Sequence, residues 1–136
     1  MVGAAVAGLP PVVRFGLVGV VGFAVDGGLL QLLVSLAGWG PIGARAVSFP
    51  AAVLATWGLN RRITFQDRST PLGRSLLRYL AVSLGGAGAN FLVYSALVLG
   101  SAQMAQQPLL PFAVASAVGM VFNYLGSKHF AFATRT

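Results

Sequence analysis

Asp26 is the residue of this 136-residue sequence whose position most demands a chemical reason. It stands inside an apolar run, twelve residues after Arg14, and a helix rising about 1.5 Å per residue puts it roughly 18 Å beyond that arginine. An acid at such depth in a membrane faces a cavity or a partner, which makes it a functional candidate. Alone in hydrocarbon a carboxyl favours its neutral form and can donate a hydrogen bond. The alternative is interhelical glue, with Asp26 bonded to Asn90 or to a backbone carbonyl.

A second set is basic. Asn60-Arg61-Arg62 and Ser127-Lys128-His129 follow two apolar runs, and Arg14 and Arg78 precede two others. Guanidinium groups are planar forks that hold phosphate oxygens in pairs, so Arg14, Asn60, Arg61, Arg62, Arg78 and Lys128 are candidate phosphate ligands. Cations at helix ends also suit the negative end of the helix dipole and set topology without binding a ligand. With no cysteine the sequence excludes thiol nucleophiles and disulfides, and its one histidine, His129, has no second imidazole for a zinc site. No catalytic residue, metal or cofactor is expected.

The elements that must position these side chains follow from composition. Hydrophobic residues make up 57% of the chain and charged ones 8%, with a mean hydropathy of +0.83, too little charge to cover a water-soluble domain. Roughly 20 apolar residues cross a bilayer as a helix, so the length holds about four spans in one membrane domain over residues 1–136. Apolar runs predict spans over about 15–37, 42–59, 79–101 and 109–126, with a loop over about 60–78. Gly38-Trp39-Gly40-Pro41 and Gln106-Gln107-Pro108 supply short turns. The fold class is an all-α integral membrane protein of two helical hairpins in parallel topology. The stretch before Arg14 lacks a basic n-region and contains Pro10-Pro11, so the first span is expected to be retained.

Orientation comes from the basic residues. Arg14, Arg61, Arg62, Arg68, Arg74, Arg78, Lys128 and Arg135 flank the spans on one side, and Arg45 alone falls near the other. Basic loops stay in the cytoplasm, which puts both termini and the central loop inside. The formal net charge of +7 then belongs to one face, where anionic lipid headgroups rather than nucleic acid are the expected partners.

The chain reads as a repeat. Arg14-Phe15 matches Arg78-Tyr79, Asp26 matches Asn90, and residues 56–65 match 123–132 with aromatic, polar, basic and terminal Phe positions in step. On helices these spacings gather polar and small residues into stripes. Gly16, Gly19, Gly22 and Asp26 form one, and Arg45, Ser48, Ala52, Thr56 and Asn60 a second. Ser83, Gly86 and Asn90 form a third, and Ser116, Gly119, Asn123 and Ser127 a fourth. Asp26, Ser48, Thr56, Asn90, Ser116 and Asn123 are thus candidates for an intramembrane polar path, against the reading that such residues only let helices pack closely.

The Gly-rich first span with Asp26, then Leu59-Asn60-Arg61-Arg62-Ile63-Thr64-Phe65, then Asn123 with Lys128-His129-Phe130-Ala131-Phe132, resembles the GtrA-like family over about residues 14–132. The resemblance marks Asp26, Asn60, Arg61, Arg62, Phe65, Asn123, Lys128 and Phe132; the run Ser127-Lys128-His129 departs from the closer Asn-Arg-Arg pattern. It implies a small four-helix protein of the bacterial inner membrane. The function implied is handling polyprenyl-phosphate sugars for surface polysaccharide, most directly by flipping them. Two other classes fit the same chain. One is an anchor that docks a glycosyltransferase on residues 60–78; the other is a small proton-coupled exporter, which the strongly fixed orientation disfavours. A homodimer would double the four helices available to a headgroup.

Overall fold

The computed structural model describes residues 2–107 and 109–133. Six α-helices and two π-helical turns follow in chain order: α1 (Val2–Ala7), α2 (Pro11–Ser35), α3 (Pro41–Leu59) with π1 (Asn60–Thr64), α4 (Leu72–Gly100), α5 (Ala102–Gln106), and α6 (Leu109–Gly126) with π2 (Ser127–Ala131). Four of the resulting rods are long and apolar enough to cross a membrane: Pro11–Ser35, Pro41–Thr64, Leu72–Gly100 and Leu109–Ala131. Burial is inverted relative to a soluble protein. Phe23, Ile42 and Leu99 are 80–88% exposed, while Ser48, Asn60, Thr64, Ser75 and Ser127 are buried. Apolar side chains turned outward and small polar ones turned inward are what a lipid solvent selects.

The helices overrun the boundaries that hydropathy predicts. The first begins at Pro11, not 15, the second continues through Thr64, and the third begins at Leu72, not 79. The connection thereby shrinks from the expected 60–78 to 65–71. Hydropathy ends a span at its first charge, whereas the helix continues while its backbone bonds are met, and arginine stems extend along apolar surface toward water. Proline opens both helices of the first pair, at Pro11 and Pro41, where its missing N–H costs nothing. Gly38, at φ +73°, turns the chain between them, a backbone angle that glycine adopts without steric cost.

Two compact units result, one running to Thr70 and including Ala133, the other Pro71–Phe132. In the first, α2 packs on α3 and π1. A β-carbon on Gly22 would overlap the Thr56 methyl group, and the Phe15 and Phe65 rings meet at 6.2 Å between centroids. In the second, α4 packs on α6 and π2. Gly86 admits the Asn123 amide, Gly126 admits Val82, and Tyr79 meets Phe132 at 5.7 Å.

The internal repeat is therefore a repeat of contacts. Phe15 with Phe65 corresponds to Tyr79 with Phe132, and Gly22 with Thr56 to Gly86 with Asn123. Each second helix ends in a π turn, closed by Phe65 N–H donating to the Asn60 carbonyl at 2.9 Å and by Phe132 N–H donating to the Ser127 carbonyl at 3.0 Å. Packing between the helices of each pair rests on these small-residue approaches and aromatic locks, since lipid supplies no hydrophobic drive for helix association.

Candidate functional site

The end of the first unit that carries the basic residues is organised by Asp67. Its Oδ1 accepts the backbone N–H of Ser69 at 3.0 Å and of Thr70 at 3.1 Å, and the Ser69 hydroxyl at 3.3 Å. Arg61 reaches into the same turn: one terminal nitrogen donates to the Thr70 carbonyl at 2.6 Å, and the other lies 3.5 Å from the second Asp67 oxygen. Burial pushes the Asp67 carboxyl up, but bonds from the Thr70 side chain and from the Thr70, Ala133 and Ser69 backbone outweigh it and hold the group at about 2 instead of 3.8. This clasp was not legible as a site from hydropathy or from the basic pattern. The local signal is an Asp followed by Ser and Thr, the composition of an Asx turn.

Arg61 and Arg62 are not presented side by side. Neighbouring residues on a helix do not face each other: Arg61 is drawn into the Asp67 clasp while Arg62 is exposed. Asn60 is buried and its side-chain oxygen accepts the Thr64 hydroxyl at 2.7 Å, which places it inside π1 as a structural bond. Arg14 is 9% exposed and its Nε has no hydrogen-bond partner among the described residues. It precedes Phe15, whose ring rests on the Phe65 that ends π1. Arg14 and the π1 arginines thus occupy the same end of this helical pair.

At the other end of the same pair, Asp26 is not alone. Arg45, one turn into α3, bonds its carboxylate at 2.5 Å, so the expected bond to Asn90 or to a carbonyl gives way to an ion pair. The Arg45 guanidinium also lies 5.6 Å from the centre of the Phe49 ring. The signal was present in the sequence: the one acid within a span and the one arginine on that side of the bilayer.

The proposed polar path resolves largely into packing within each pair. The Thr56 hydroxyl bonds back to Ala52 and Val53 carbonyls, and its methyl rests on Gly22. Ser48 is fully buried with an unpartnered hydroxyl. In the second unit Asn123 sits on Gly86 and Asn90 against Gly119, while Ser116 is half-buried. Gly16 and Gly19, expected in the small stripe, have open space where a side chain would be.

The second unit's basic residues are also held. Arg78 donates to the Phe130 carbonyl at 3.2 Å and lies over the Phe130 ring at 5.0 Å, and Lys128 stands in π2 beside an exposed His129. Arg135 lies outside the described residues. No group of three metal-ligating side chains occurs among the described residues.

A family model described as GtrA/DPMS, transmembrane domain, matches residues 14–132. The chain belongs to that family, which is linked to polyprenyl-phosphate sugar pathways, and it is a multi-pass membrane protein. No curated protein matches it.

Proposed function

We propose, on the premise of that family membership, that this chain flips a polyprenyl-phosphate-linked sugar across the bacterial cytoplasmic membrane for cell-surface polysaccharide synthesis. The observation that carries the reading is Arg14, a buried guanidinium whose Nε lacks a partner, at the same end of α2 and α3 as Arg61 and Arg62. A buried cation without an anion is costly, and a lipid phosphate supplies the missing charge and acceptors. The basic end lies in the cytoplasm by the distribution of lysine and arginine. There Arg14 and Arg62 take the phosphate while Arg61, tied to Asp67, holds the adjoining turn in shape.

The polyprenyl tail stays in the bilayer and only the headgroup needs a polar route, which a second copy of the chain would widen. No covalent step is involved, so no catalytic residue is assigned. Translocation of a labelled polyprenyl-phosphate sugar in vesicles reconstituted with the intact chain tests the reading; no flipping by folded protein would overturn it.

One observation favours a second reading. The ordered turn at Asp67, with Arg68 and Ser69 exposed, is a surface on which a glycosyltransferase could dock, making the chain an anchor. Retention of such an enzyme at the membrane, lost on substituting Arg68 and Ser69, would support that role.

A further inference from the structure

The repeat separates what the fold needs from what has been added to it. The second helical pair closes with the same aromatic lock, glycine approach and π turn, yet at the positions of Asp26 and Arg45 it carries Asn90 and Phe112. A buried or half-buried ion pair is weak support for stability in any case. The Asp26–Arg45 pair is therefore surplus to closing the hairpin.

Arg45 also lines an open apolar groove of about 540 Å³ with Leu30, Pro41, Ile42, Ala46 and Phe49. Its side chain is 53% exposed, and a guanidinium has five N–H donors, of which the Asp26 carboxylate takes a share. Pro50 has no N–H, so the Ala46 carbonyl on this groove loses its usual helical donor. The groove runs from the first residues of α3 to Phe49, two turns deeper, with Arg45 midway, one turn from either end. A guanidinium one turn inside the helix, with Ala46 and Phe49 beyond it toward the hydrocarbon, matches an amphiphile whose anionic head sits near the interface and whose chain runs deeper.

We propose that this groove is a second station for the lipid phosphate, at the opposite end of the α2–α3 pair from Arg14. Arg45 takes the phosphate in competition with Asp26, and the apolar wall takes the first part of the chain. The identity of the lipid rests on the transport reading above. Asp26 keeps the station from holding its ligand too tightly: the carboxylate returns to Arg45 as the phosphate leaves.

The test uses the intact chain in phosphatidylcholine nanodiscs and vesicles, with labelled polyprenyl phosphate, labelled polyprenol and a labelled polyprenyl-phosphate sugar as probes. In the Arg14→Gln chain, where the opposite end no longer holds phosphate, Arg45→Gln should lower retention of polyprenyl phosphate about tenfold, the loss of one charge-assisted contact, and leave polyprenol unchanged. Asp26→Asn should raise retention severalfold and slow flipping. Asp26→Asn/Arg45→Gln restores charge balance in the manner of the second pair, folds, and should still show the low retention. Equal retention of polyprenyl phosphate by the Arg14→Gln chain with and without the double substitution would overturn the proposal, as would parallel losses for both probes. Arg45-dependent retention without any flipping by wild type would uphold the station and remove transport. Flipping by wild type with Arg45-independent retention would do the reverse.

Discussion

Gly22 of α2 lies so close to Thr56 of α3 that a β-carbon on the glycine would overlap the threonine methyl. Thr56 is β-branched and its hydroxyl is tied to the Ala52 and Val53 carbonyls, so the methyl has little freedom to yield. Gly22→Ala should therefore destabilise the helical pair by roughly 1–3 kcal/mol, read as a lower unfolding midpoint in detergent. Gly16→Ala and Gly19→Ala meet no neighbouring atom and should leave the midpoint nearly unchanged. Thr56→Ser removes the offending methyl and should recover most of the loss in combination with Gly22→Ala; failure to recover it would show that the contact is not what limits the approach.

The basic end predicts a graded response to charge removal. Arg14→Gln should weaken binding of a polyprenyl-phosphate sugar about tenfold or more, since a charge-assisted bond contributes roughly 1.5–3 kcal/mol. Arg62→Gln should cost less, and exposed Arg68→Gln little. Equal losses at the three positions, measured by binding in nanodiscs of fixed salt, would mean diffuse attraction to anionic lipid.

Asp67 predicts a dependence on pH with a defined sign. The folded carboxyl ionises at about 2 against 3.8 for the free group, so the native turn binds fewer protons than the unfolded one in that interval. The stabilisation, roughly 2 kcal/mol, is complete above about pH 5 and is lost as pH falls through about 4 toward 2. Protection of the amides across 61–70, with exchange corrected for its intrinsic pH dependence, should stay high at neutral pH and fall on acidification. In Asp67→Asn the protection should be low throughout and nearly independent of pH over the acid range; a retained acid transition would point to another group.

Orientation is testable directly because the chain has no cysteine. Ser69→Cys should be labelled from the cytoplasmic side only, and Gln103→Cys from the opposite side only. External labelling at Ser69 would reverse the charge-based assignment.

Four spans and an internal repeat were legible because lipid imposes length and apolarity on every crossing helix, and because Phe15, Tyr79, Phe65 and Phe132 recur in step. The helix ends were not, since a hydropathy window treats Arg14, Arg61 and Arg78 as the end of a span when backbone bonding carries on past them. The candidate arginines could be chosen by type but not sorted by role. Only three-dimensional placement shows Arg61 tied to Asp67, Arg78 tied to Phe130 and Arg14 with an unpartnered Nε. The Asp26–Arg45 pair lay within reach of simple charge counting, whereas the Asp67 clasp depends on a tight turn whose bonds no periodicity reveals.

The π turns at Asn60–Thr64 and Ser127–Ala131 make chain length at these places as consequential as residue type. A π turn holds one residue more than the α turn it replaces, and each residue added to or removed from an α-helix rotates the remainder of the helix by about 100°. Deleting a single residue from 61–64 would let the rod close as regular α-helix with Phe65 still beside Phe15, whereas adding one would swing Phe65 away by about 100° and undo an aromatic lock without altering either ring. Sequence drift through these turns should thus tolerate exchanges of side chains, and loss of the extra residue, far better than insertions.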